Sequence, residues 1–185
     1  MVATVVAAAE LRAWQPEDHG QQSLREALLA YLLARPDDAC DRSCVPGHLT
    51  ASALVVDAAG EHTLLTLHRR LGEWLQLGGH CEPADASLRE AALREATEES
   101  GIDGLTISET PWHVAVHPLT CSLGVPTRHL DVRYLVRAPA GAVPRISDES
   151  ADLRWWPLDG LPEDPGVREM AAAYQRSQSQ NRISL

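Results

Sequence analysis

Three glutamates, Glu95, Glu98 and Glu99, stand at i, i+3 and i+4 within the segment LREAALREATEES. On an α-helix that spacing brings the three carboxylates to one face. Partly buried about 6 Å apart, at an effective dielectric near 20, each pair would repel by roughly 3 kcal/mol. A cation removes that cost, and hard oxygen donors suit Mg2+ or Mn2+. The chemistry open to such a site is that of a bound hard divalent cation. Left in solvent, the same residues are an ordinary acidic helix surface.

The flanking residues say how such a helix would be held. Ser87 with Glu90 three residues later makes a capping box, and Gly101 stands where a left-handed C-terminal glycine is favoured. The spacing therefore predicts a helix from Leu88 to Ser100. Its opposite side offers Ala92, Leu93 and Ala96 for close packing, while Glu90 and Arg94 can pair at i, i+4. Before it, residues 72–83 carry three glycines and a proline, so this stretch is expected to be mostly loop.

The rest of the chain supplies a sheet. LTASALVVDAAG and HTLLTLH read as strands joined by the turn Ala58–Ala59–Gly60–Glu61, followed by strands near 113–119, 129–136 and 152–156. In the strand at 129–136, Leu130, Val132, Tyr134 and Val136 point one way, and His129, Asp131 and Arg133 the other. A helix over 22–35 uses Leu24, Ala27, Leu28, Tyr31 and Leu32 as its inner face. A last helix starts with Asp164 as N-cap and Pro165 behind it, burying Val167, Met170, Ala171 and Tyr174. From Ser177 the chain turns polar and is expected to fray. Strands outnumber helices, which predicts an α+β domain with a mixed sheet.

Composition narrows the function. The 185 residues carry a net charge of −10, and all 16 basic residues are arginine. With no lysine there is no lysine nucleophile, Schiff base or P-loop lysine. The acidic balance argues against nucleic acid as a partner, and no apolar run approaches the length needed to span a membrane. Residues 1–10 lack the basic start and apolar stretch of a secretion signal. A cytoplasmic protein is expected, with Cys40, Cys44, Cys81 and Cys121 as reduced thiols.

The segment GGHCEPADASLREAALREATEESGI, residues 78–102, resembles the Nudix box. The run Arg94-Glu95-Ala96-Thr97-Glu98-Glu99-Ser100-Gly101-Ile102 matches the second half of that pattern without a gap, and Gly78, Gly79, Glu82 and Pro83 match the first half. Asp85 replaces the usual Glu, Ala84 a usual Gly, and Leu77 a common Pro. One extra residue separates Asp85 from Arg94. A one-residue insertion inside a helix would turn everything before it by about 100°, so the extra residue is expected in the loop, with Asp85 just outside the helix, near its free amides. GHLTASALVV, HRRLGEWLQLGGH and RHLDVRYLVRAP are similar to segments of one bacterial branch of small Nudix hydrolases.

The resemblance implies a Nudix-type α/β/α sandwich over residues 46–178, with an additional N-terminal helix in a 1–45 extension and a polar tail at 179–185. It implies metal-dependent cleavage of a diphosphate linkage in a small metabolite, with a nucleoside triphosphate or nucleotide conjugate as the leading class. Gly78, Glu95, Glu98, Glu99 and the late-chain Glu149 would hold Mg2+, or Mn2+ in its place. Glu98, Glu99 or Glu149 would take the proton of the attacking water, and Arg94 would orient the glutamates. Arg69, Trp74, His117 and His129 are candidate substrate contacts. The histidines, among them His48, His68, His80, His113 and His117, also fit structural hydrogen bonding or a softer second metal site. A homodimer is compatible with all of this. Two other readings share the fold: an isopentenyl-diphosphate-isomerase-like enzyme and a non-catalytic ligand sensor. The intact Arg94–Gly101 run argues against the first. The second usually carries a basic DNA-binding module, for which 1–45 is too short and too acidic.

Overall fold

The computed structural model describes residues 2–16, 18–121, 124–148 and 150–183, with side chains described through residue 178. Glu149 therefore lies outside the described residues. Two helices come first, α1 (Thr4–Ala13) and α2 (His19–Ala34), and then strands β1 (His48–Val56), β2 (His62–His68), β3 (Trp74–Leu75) and β4 (Leu77–His80). Helix α3 (Leu88–Ser100) precedes β5 (Thr106–Ile107), β6 (His113–Thr120), β7 (Pro126–Arg137) and β8 (Ser150–Pro157), and α4 (Pro165–Ile183) closes the order. Among the described residues no helix is long and apolar enough to cross a membrane.

The sheet is mixed and β1 lies at its centre. It runs parallel to β7 from His48↔His129 to Val56↔Arg137, and antiparallel to β4 from Thr50↔His80 to Ala53↔Leu77. Alternation then sorts the side chains into two faces. Leu49 and Ala51 of β1, with Leu130, Val132 and Tyr134 of β7, pack against Leu88, Ala91 and Ala92 of α3 and against α1 and α2. Leu54 and Val56 face the other way, toward Met170 and Tyr174 of α4. The result is the expected sandwich of a sheet between helical layers.

The predicted α3 is present with the predicted bounds. The Ser87 side chain accepts from the Glu90 amide, and Gly101 closes the helix in a left-handed conformation with φ 61°. The extra residue thus sits in the loop, and the glutamate register is undisturbed. One detail of the box differs: the Glu90 carboxylate accepts from the Ala86 amide at 3.0 Å, one residue earlier than in a reciprocal capping box. At α4, the Val167 amide donates to Asp164 at 2.8 Å, as Asp164 capping requires.

Several expectations need correction. The extension holds two helices, not one; α1 buries Ala7, Ala8 and Leu11, and its β-branched start hides the pattern. In α2, Leu29 is buried and Ala27 is exposed, because the inward stripe runs through Gln21, Leu28 and Leu32. Gln21 holds α2 to β6: its amide donates to the Val114 carbonyl at 3.1 Å and accepts from the Val114 N–H at 2.8 Å. The frayed tail expected from Ser177 is instead helical backbone through Ile183.

Helix α1 also completes the N-terminus of α3. The Glu10 carboxylate accepts from the Leu88 amide at 2.9 Å, the Arg89 amide at 3.1 Å and the Tyr134 hydroxyl at 3.0 Å. Amides of a helix's first turn have no partner within the helix, and a negative charge there is favoured by the helix dipole. Asp85 was expected in this role. Glu10→Ala should therefore cost about 2–3 kcal/mol, the sum of a lost cap and unpaired donors. Urea unfolding measures it, and an unchanged midpoint would show that the contact between extension and domain is idle.

Candidate active site

Helix α3 presents Glu95 and Glu99 to Gly78 and Gly79 of strand β4. Glu99 is buried, 8% exposed, and accepts from the Gly78 amide at 2.9 Å. Gly78 has φ 151°, and any Cβ there would run into Ser52 of β1. A Cβ on Gly79 would come within 2.6 Å of Glu95 Oε1. Gly78 thus lets β4 lie close on β1, and Gly79 lets it lie directly against Glu95.

Arg94 organises the rest of this face. Its guanidinium makes a two-pronged pair with Asp85, Nε to Oδ1 and Nη2 to Oδ2, both at 3.0 Å. Nη2 also donates to the His80 carbonyl at 3.0 Å, and Nη1 reaches Glu95 at 3.0 Å and Glu98 at 3.1 Å. Burial alone would raise the Asp85 carboxyl. Hydrogen bonds from Arg94 and the Glu82 amide outweigh that and hold it below the usual carboxylate range. Asp85 is therefore the clamp that fixes Arg94, and Arg94 in turn orients Glu95 and Glu98. The Glu90–Arg94 pair suggested by the spacing does not form, because the clamp turns Arg94 toward the carboxylate side.

The donor set fits a hard divalent cation. Glu95, Glu98 and Glu99 offer carboxylate oxygens, and a single guanidinium lies among Asp85, Glu95 and Glu98, with Glu82 3.9 Å away. That leaves the face strongly negative, which Mg2+ or Mn2+ would balance.

On the α4 side of the sheet lies a buried polar floor. Asp131 and Arg133 are 4% and 1% exposed, so this face of β7 is interior as well. Asp131 accepts from Thr50 at 3.0 Å, Ser52 at 2.9 Å, Gln76 at 3.3 Å and Arg133 Nε at 2.7 Å. Burial would raise its carboxyl, but the Arg133 charge and these hydrogen bonds outweigh it and lower it. Arg133 also lies 2.7 Å from His117 Nε2 and 3.5 Å from the Gly166 carbonyl at the start of α4. Asp131 is the hub that the sequence reading missed. The signal for it was the parallel register, which sets Thr50 and Ser52 beside Asp131 and Arg133.

The four candidate substrate contacts separate. His117 belongs to this floor. Arg69 donates to the Ser150 carbonyl at 2.8 Å, tying the loop after β2 to the start of β8. Trp74 stacks edge-on with Trp156 at 5.2 Å under the Arg154 guanidinium, 4.7 Å above its ring. Trp155 packs against the apolar cluster of Ala53, Leu64 and Ala96. His129 joins His48 and His80, at ring separations of 4.9–5.1 Å. Two surface hollows of about 500 and 530 Å3 lie elsewhere, one beside Gly60 and Tyr174 and one between α1 and α2. Neither touches the glutamates, so neither locates the chemistry.

Buried imidazoles give the fold a pH dependence. Burial, then the Arg133 charge, pushes His113 down from 6.5 to about 4, and burial pushes His129 to about 4. The unfolded chain takes up these protons near pH 6.5, whereas the folded one binds them only near pH 4. Stability of the metal-free protein should thus be full above pH 6.5 and fall steadily toward pH 4. Urea midpoints across that window test it, and a flat profile would contradict it.

Known structures share this architecture. The MutT protein from Methanosarcina mazei Go1 superposes with a TM-score of 0.55 at 22% identity, over 73% of this chain and 97% of that one. The E. coli dihydroneopterin triphosphate pyrophosphohydrolase gives 0.55 at 18% identity, over 66% and 91%. The NUDIX domain of Shewanella oneidensis NrtR, complexed with ADP ribose, gives 0.53 at 20% identity, over 80% and 97%. The family model of the NUDIX domain matches residues 46–176, the span that carries the box, its Arg94 clamp and the whole sheet. The chain belongs to the NUDIX domain family.

Proposed function

We propose that this protein hydrolyses a diphosphate linkage in a nucleoside triphosphate or nucleotide conjugate with the help of Mg2+, Mn2+ serving as a substitute. The observation that carries the proposal is the carboxylate face built against Gly78 and Gly79, with Arg94 locked by Asp85. Glu95, Glu98 and Glu99 would hold the metal, with the Gly78 carbonyl and Glu149 as further ligands. Bound there, the ion would neutralise charge on the diphosphate and lower the pKa of water. Glu98, Glu99 or Glu149 takes the proton of the attacking water. Arg94 keeps Glu95 and Glu98 aimed at one place and does not itself touch substrate.

The polar floor of Arg133, His117, Thr50, Ser52 and Gln76 supplies donors and acceptors for the remainder of a substrate, with Trp74, Arg69 and His129 as further candidate contacts. A nucleotide class is supported by fold neighbours named for nucleotide chemistry, a C. elegans Ap4A hydrolase among them. A cytoplasmic location is part of the proposal and rests on composition.

The test is a panel of nucleotides, nucleotide sugars and prenyl diphosphates, each incubated with the protein and Mg2+ and assayed for phosphate or pyrophosphate. Hydrolysis of a nucleotide is expected. Isomerisation of a prenyl diphosphate without phosphate release, or tight binding without turnover, would favour the two other readings of the fold.

A further inference from the structure

Three histidines and a cysteine converge at the end of the sheet where β1 and β7 begin and β4 ends. They are His48, opening β1, His80, closing β4, His129 of β7, and Cys121, just after β6. Their donor atoms all lie within 4.8 Å of one another. His80 Nε2 is 3.5 Å from Cys121 Sγ. A tetrahedral ion with Zn–N near 2.05 Å and Zn–S near 2.3 Å needs neighbouring donors roughly 3.3–3.7 Å apart. One pair already meets that spacing, and none of the others exceeds 4.8 Å, a difference within the reach of small side-chain rotations.

The unpaired nitrogens point to a ligand. His48 is 1% exposed, and its Nε2, like the Nε2 of His129, is buried with no hydrogen-bond partner. Buried polar groups of native proteins almost always have partners, so two in one cluster call for an explanation. The other ring nitrogen of His48, Nδ1, lies 3.3 Å from the Cys44 carbonyl. A carbonyl can only accept, so Nδ1 carries the proton and Nε2 presents a lone pair. That is the arrangement by which an outer hydrogen bond fixes a metal-binding histidine. No carboxylate takes part, so the set differs in kind from the glutamate face and selects a softer ion.

We propose that His48, His80, His129 and Cys121 form a closed, tetrahedral site for Zn2+. Four protein ligands leave no open position, which makes it a structural site. It joins three adjacent strands to the β6–β7 connection. His80 directly follows Gly79, and its carbonyl receives Arg94, so the ion would also brace the strand against which the glutamates lie. On binding, the Cys121 thiol gives its proton to solvent and the thiolate bonds to the metal, while the neutral imidazoles lose no proton.

The experiment uses the full chain without a histidine tag. Metal analysis of the purified protein should find one zinc per chain. After removal of zinc, Co2+ titration should show the visible bands of a tetrahedral site and a thiolate charge-transfer band in the near ultraviolet, with about one proton released per ion. Cys121→Ser should abolish the charge-transfer band and weaken Co2+ binding by more than the ~10–100-fold typical of losing an outer partner. Cys81→Ser and Cys40→Ser, whose thiols lie on the other side of the sheet, should keep both. Circular dichroism of each variant confirms that it is folded, and the wild-type metal content stands even where a variant is not. Absence of stoichiometric zinc together with no Co2+ bands in the wild type would overturn the proposal. So would a charge-transfer band that survives Cys121→Ser.

Discussion

Glu99→Gln is expected to lower kcat by roughly 10²–10⁴-fold, the range associated with losing a proton-transfer group or its electrostatic equivalent. Glu99 is buried against Gly78, and glutamine keeps its volume and an oxygen that can still accept from the Gly78 amide. The substitution therefore removes charge and leaves shape, and the melting temperature should stay level or rise as repulsion among the glutamates is relieved. Glu98→Gln should also be severe, although that side chain is 61% exposed, because its charge faces the same place through Arg94. Initial rates on the best substrate of the panel, with thermal melts of each variant, provide the check. Wild-type rates in both variants would remove the carboxylates from the mechanism.

Arg133→Met should be the most destabilising single change in the polar floor, by about 3–5 kcal/mol. Removing one partner of a buried pair leaves the other charge without compensation. Here Asp131 would keep Thr50, Ser52 and Gln76 but lose its counter-charge. Neutralising the second partner as well, in Asp131→Asn/Arg133→Met, should recover part of the loss. Urea unfolding of the single and double variants measures both. A single variant within 1 kcal/mol of wild type would mean that Asp131 is stabilised by its neutral donors alone.

The helix that matters most was legible because its signals are local. Ser87, Gly101 and the i, i+3, i+4 glutamates lie within fifteen residues and act through helix geometry alone, so the one-residue insertion could be placed in the loop and was found there. The burial of the Asp131–Arg133 face was not legible for the opposite reason. Alternation in a strand separates two faces, but it does not say which of them is covered, and α4 arrives from beyond β8. Glu10 was invisible on the same account: its bonds to Leu88 and Arg89 span nearly eighty residues, and nothing local marks an acid as the cap of another helix. Asp85 was placed correctly outside α3 and given the wrong partner, since the reach of Arg94 back to it depends on how the loop turns. The histidines could be counted but not assembled. Only the strand register brings His48, His80 and His129 together.

The most direct test of a divalent cation on the α3 carboxylates is the rate of diphosphate hydrolysis as a function of Mg2+ alone. Protein freed of magnesium by gel filtration should be inactive on the substrate found in the panel. Added Mg2+ should restore turnover along a saturating curve, and Glu98→Gln should need more of it at every level of activity. Full turnover with no added magnesium and with EDTA present would contradict the account.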